Sequence, residues 1–172
     1  MRAECDERLY ILAAFSLFLA TIEYTVPKPF PFMRLGLANL PILIALVIFR
    51  PRQVLLLTLY KVIGQGLLQG TIFSYIFLFS AVGSFASSLA MIWIHTFLGR
   101  WSSLVGISVC GAFAGNLVRL FLARYVLFGE QGWVMAPPFL IVGLISSVLL
   151  GGFAAAFVAN SCWCNGVPEA KS

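Results

Sequence analysis

The chain has 172 residues, 61% hydrophobic and 10% charged, with a formal charge of +5 and a mean hydropathy of +1.00. A soluble domain carries about 25% charged residues, so a water-soluble globule is excluded and lipid is the expected solvent. Only helices or a closed barrel satisfy the backbone in lipid, and long apolar runs without strand alternation select helices.

The N-terminal MRAECDERLY is mixed in charge, and no A-x-A cleavage signal follows the first apolar run. That run is therefore expected to remain as a helix, not to be removed as a signal peptide. A spanning helix needs about 20 mostly apolar residues. Taken in order, the runs predict one transmembrane domain of six helices, at 9–25, 35–49, 53–70, 71–98, 102–127 and 138–159, with short tails at 1–8 and 160–172. The second helix is short and kinkable at Pro41. The break between the third and fourth is weakly marked, because QGTIFSY is hardly polar, and five helices or a re-entrant segment is the alternative. Between the first two runs lies PKPFPFMRLGLANLP, whose four prolines, Lys28 and Arg34 are more than a plain turn requires. Lys and Arg near the helix ends favour both termini on the cytoplasmic side. Pro27–Arg34 and the loop 128–138 then fall outside.

The positive charge is spread over many loops instead of forming a stripe, so no nucleic-acid partner is expected. Small residues mark close helix approaches: Gly66 and Gly70, and Gly111 and Gly115, read as GxxxG pairs. Ala13, Ser16 and Ala20 line one stripe of the first helix, suited to packing within the chain or to docking on another membrane protein.

Ionisable groups in the membrane cost about 2.5–3.5 kcal/mol each on insertion scales, so they need a reason. Lys61 lies mid-helix, with Gln65 and Gln69 following at i+4 and i+8 on one face. Arg119 lies well inside the fifth helix, one turn after Asn116. Together with Asn39 and Arg34 these are candidate contacts for a phosphate, a carboxylate or another strongly polar solute. The competing possibilities are that Lys61 snorkels and that Arg119 pairs with Glu23 or a helix C-terminus. Phe30 and Phe32, stiffened by neighbouring prolines, could cap such a pocket at small entropic cost.

Several chemistries lack their residues. No GxxxxGK[ST] is present for a P-loop. The single aspartate, Asp6, leaves magnesium–diphosphate chemistry without ligands. The single histidine, His95, leaves no Ser–His–Asp set. Cys5, Cys110, Cys162 and Cys164 have no zinc spacing with it, and the CxC at 162–164 reads most simply as reduced thiols. The chain is read as a non-enzyme that binds no metal and no cofactor itself.

The segments LGLANLPILIALVIF, LYKVIGQGLLQGTIFSYIFLFSAVGSFASSLAM and GISVCGAFAGNLVRLFLA, in that order, resemble the Gx transporter family, also labelled heptaprenyl diphosphate synthase component I. The similarity runs from about Pro27 to Ala159 and is most specific at Leu35–Asn39 and Gly64–Gly83. The family pattern has a basic residue where Lys61 stands, and usually a histidine and a glutamine where this chain has Gly115 and Arg119. The family is similar to S components of energy-coupling factor transporters, six-helix proteins of the bacterial cytoplasmic membrane that capture a vitamin-type micronutrient. That resemblance implies a transmembrane scaffold partner and partner ATPases that consume ATP. It makes Lys28, Phe30 and Phe32 part of a gating loop, and Ala13, Ser16 and Ala20 a docking face. The synthase label implies a second reading, a non-catalytic membrane subunit accessory to polyprenyl diphosphate synthesis. A membrane scaffold without a small-molecule ligand is a third.

Overall fold

The computed structural model describes residues 2–25, 36–71, 73–98, 103–128 and 136–160, which are helical or short turns with no strand among them. Six α-helices follow in order: α1 (Arg2–Thr25), α2 (Leu40–Ile48), α3 (Pro51–Leu68), α4 (Tyr75–Leu98), α5 (Leu104–Ala123) and α6 (Ala136–Asn160). A 3-10 turn, Leu37–Asn39, leads into α2, and a π-helical turn, Arg124–Phe128, prolongs α5. Three stretches, 77–97, 104–126 and 140–160, are long and apolar enough to cross a membrane. Large apolar side chains such as Leu67, Phe97 and Leu149 point outward, an arrangement suited to lipid and unsuited to water.

The helix count is the expected six, but two elements differ from the expectation. Helix α1 begins at Arg2, so 1–8 is not a free tail. Polar residues such as Glu7 and Arg8 are good helix formers and extend the helix ahead of the apolar run. Helix α2 does not span. Its nine residues reach only about 14 Å at 1.5 Å per residue, against a hydrocarbon core of about 30 Å. It is apolar all round, and Leu40 to Leu46 and Ile48 are all buried. Such a helix belongs in a core. Ile42, Leu43 and Ala45 pack in one cluster with Leu9 and Leu12 of α1, Val54 and Leu57 of α3, Met91 of α4, Ile107 of α5 and Ala154 of α6. Every other helix therefore contributes to the sleeve around it. Pro41 sits in the first turn of α2, where its missing N–H is no loss, so it starts the helix instead of kinking it.

The end of α3 explains the weakly marked break after it. Gly70 adopts φ 62°, its N–H donates to the Leu67 carbonyl at 3.2 Å, and Thr71 N–H donates to the Gly66 carbonyl at 3.1 Å. This is a Schellman stop, and no atom lies within 4 Å of a Cβ built on Gly70. The Gly66–Gly70 pair is thus half packing and half terminator, a correction to its reading as a helix-contact motif. The Gly111–Gly115 pair does mediate contact. A Cβ at Gly111 would lie 2.4 Å from Met91 Cε, and one at Gly115 would lie 2.8 Å from the Gly83 carbonyl oxygen. Across α5 and α6, Gly151 meets Val105 Cα, and Ser108 Oγ donates to the Ser147 carbonyl at 2.9 Å.

Gly115→Val should therefore force α4 and α5 apart and cost about 1–3 kcal/mol, the usual range for overpacking. Gly106→Ala, where no atom lies within 4 Å of the added methyl, should be neutral or stabilising by up to about 1 kcal/mol. Unfolding of the two variants in mixed detergent micelles measures the contrast.

Candidate functional site

The polar interior starts at α1. Ser16, Ala20 and Glu23 recur at i, i+4 and i+7, and all are buried at 3% exposure or less. They form a cradle for the chain entering α2. Ser16 Oγ donates to the Ala38 carbonyl at 3.1 Å, Gly36 N–H donates to Glu23 Oε1 at 3.2 Å, and Ala38 N–H donates to Glu23 Oε2 at 3.5 Å. Gly36 adopts φ 82° to make the entry, a conformation that suits glycine. The stripe Ala13, Ser16, Ala20 is accordingly covered by this chain itself and is not an open docking face, because its small side chains admit 36–39 and the α2 core. The outward face of α1 carries Ile11, Phe15, Phe18 and Ile22 instead.

From this cradle the polar groups lead inward. Asn39, the last residue of the 3-10 turn, accepts a hydrogen bond from Lys61 Nζ at 2.5 Å. Lys61 is 2% exposed, so its ammonium is held inside the bundle and does not snorkel to the surface. Gln65, one turn further along α3, is also buried, whereas Gln69 caps the helix end and is only half-buried. On α5, Arg119 is 4% exposed and donates through Nη1 to Asn116 Oδ1 at 3.1 Å.

Two glycines on neighbouring helices make room for this second group. A Cβ on Gly83 of α4 would lie 2.5 Å from Arg119 Nε, and one on Gly143 of α6 would lie 2.0 Å from Asn116 Nδ2. Between the two cations runs α4, whose Ser80, Ser84, Ser87 and Ser88 are buried. Ser88 and Thr58 share a hydrogen bond of 2.8 Å that joins α4 to α3.

Among the described residues the buried ionisable side chains are Lys61, Arg119 and Glu23, two positive charges against one negative. Buried charges survive only when paired or hydrogen-bonded. The described residues contain no group of three or more His, Cys, Asp or Glu placed to hold a metal ion. Lys28, Phe30, Phe32 and Arg34, like Cys162 and Cys164, lie outside the described residues. Glu23 and Gly36 flank the segment 26–35 and are hydrogen-bonded to each other, so its two ends are tied.

Sequence reasoning singled out Asn39, Lys61, Gln65, Asn116 and Arg119, and each is buried or partly buried in this interior. It missed Gly83, Gly143 and the serine face of α4. Serine is common in membrane helices, and the role of a glycine is visible only when the residue facing it is known. The three buried serines at 80, 84 and 87, spaced i, i+4 and i+7, were the one available signal.

The described residues are helical, three of the helices are long and apolar enough to cross a membrane, and two cations lie buried among them, which is consistent with a helical membrane protein. More narrowly, the family model described as Heptaprenyl diphosphate synthase component I matches residues 12–157, and the chain is a member of that family. No curated protein and no solved structure matches it.

Proposed function

We propose that the chain is the substrate-binding membrane subunit of an ATP-driven uptake transporter, of the S component kind, and that it captures a small polar or anionic solute. The observation that carries this reading is the burial of Lys61 and Arg119 at 2% and 4% exposure inside an apolar bundle. Two cations kept there at a cost of about 2.5–3.5 kcal/mol each on insertion scales suit charge-assisted hydrogen bonds to an anion. Asn39 and Asn116 hold them in position.

The segment Pro27–Arg34 then serves as the lid over the solute. Lys28 and Arg34 add positive charge, Phe30 and Phe32 supply cover, and the Glu23–Gly36 tie anchors both ends. The chain lies in a bacterial cytoplasmic membrane with both termini inside. A transmembrane scaffold and ATPase subunits complete the transporter and consume ATP. The outward apolar face of α1 and the lipid-facing helices give the scaffold its contact area.

The family's description favours a second reading, a non-catalytic membrane subunit that assists heptaprenyl diphosphate synthesis. The anion is then a diphosphate, and the partner is a soluble synthase that brings its own aspartates and magnesium.

Mass spectrometry of small molecules copurifying with the detergent-solubilised protein, wild type beside Lys61→Ala, tests the proposal. One compound, stoichiometric in wild type and depleted in the variant, is expected. Only bulk lipid in both samples would remove the solute-capture reading. Copurifying proteins separate the alternatives: a membrane scaffold with ATPases for the first, an aspartate-rich synthase for the second.

A further inference from the structure

A serine inside a helix commonly returns its hydroxyl to the carbonyl four residues back. Ser88 does so, donating to the Ser84 carbonyl at 2.9 Å. Ser84 and Ser87 do not. Their Oγ atoms and Gln65 Oε1 are buried with no hydrogen-bond partner among the described residues, although these three residues are at most 4% exposed. A native interior carries a few such atoms, and each calls for an explanation.

Helix register relates the three residues. Helices α3 and α4 are joined by a short turn and run antiparallel, and the Thr58–Ser88 bond fixes their register. Lys61 then falls level with the Ser84 turn, and Gln65 with the Ser80 turn. On the far side of α4, the Ser87 side chain lies against Gly115, and the Arg119 guanidinium crosses Gly83. Ser84 and Ser87 therefore occupy the strip of α4 between the helix that carries the ammonium and the helix that carries the guanidinium.

We propose that Gln65, Ser84 and Ser87 form the neutral wall of the anion site, and that its ligand is a hydroxylated oxyanion, such as a polyol phosphate. The proposal rests on the solute-binding reading and narrows it. The serine hydroxyls donate to the oxyanion beside the two cations. Gln65 Oε1 accepts, so a hydroxyl on the ligand would satisfy it. A prenyl diphosphate, deprotonated at one end and hydrocarbon at the other, offers none.

The test uses the full-length chain with Cys5, Cys110, Cys162 and Cys164 replaced by serine. Ser84→Cys and Ser87→Cys are each labelled with small anionic and cationic methanethiosulfonates, with Phe73→Cys, at a fully exposed position, as the control for reagent quality. Both serine positions are expected to react, with the anionic reagent favoured about ten-fold more than at Phe73→Cys. Ribose 5-phosphate should protect them at concentrations about five-fold lower than methyl phosphate, the factor expected of one added neutral hydrogen bond. Gln65→Leu should erase that five-fold advantage while leaving the charge preference in place.

No labelling at either serine position while Phe73→Cys reacts would overturn the proposal, as would equal protection by the two esters. These results are independent of whether a solute copurifies with the wild type. Labelling and protection as expected, with no copurifying solute, would sink the uptake reading and keep the wall.

Discussion

Lys61→Met and Arg119→Met are each expected to weaken binding of the copurifying solute by about 10- to 150-fold, or roughly 1.5–3 kcal/mol, the worth of a charge-assisted hydrogen bond. Methionine keeps most of the apolar stem of either side chain and removes its charge and its hydrogen-bond donors. Each variant leaves the Asn39 or Asn116 carbonyl without that donor, which costs about 1–3 kcal/mol, so both variants should melt below the wild type as well as lose affinity. Titration calorimetry for affinity, beside thermal unfolding in the same detergent, separates the two effects. A purely structural role would lower the melting temperature and leave affinity unchanged. If both cations hold one anionic group, the double variant should lose less than the sum of the two single losses.

Glu23→Ala is expected to cost about 3 kcal/mol or more of stability, because it removes the acceptor of two backbone hydrogen bonds at once. Gly36 N–H and Ala38 N–H then lose the carboxylate they donate to, in a region where water replaces it poorly. Glu23→Gln keeps one carbonyl acceptor and should lose about half as much. Equilibrium unfolding in mixed micelles gives the order wild type, Gln, Ala. An alanine variant as stable as wild type would mean that the tie between the ends of 26–35 contributes nothing to the fold.

The helices were legible because a membrane helix announces itself through length and apolarity, and the runs that became α4, α5 and α6 have both. Helix α2 was legible as apolar but not as short. LPILIALVI merges on the page with Leu35–Leu37 and Phe49, and only the tertiary structure separates the 3-10 turn from the helix. Lys61 and Arg119 stood out because charge is rare in such sequence. The glycines beside them did not, since nothing in the local pattern says that Gly83 faces Arg119 or that Gly143 faces Asn116. The partners of Glu23 were hidden for the same reason. They are main-chain groups 13 and 15 residues away, and no side-chain pattern encodes a backbone acceptor's address.

The shortness of α2 bears on how the protein is made. Across a membrane, a segment of this length would leave at least one end at a depth where exposed backbone is not tolerated by lipid. Ser16 and Glu23 satisfy the turn that enters α2, and both belong to the helix synthesised before it. During biogenesis, α1 is then expected to act as an intramolecular insertion partner for α2, with α1, α2 and α3 integrating as a unit. A chain truncated after Phe49 should fail to integrate, and a chain truncated after Gly70 should integrate with all three helices in place.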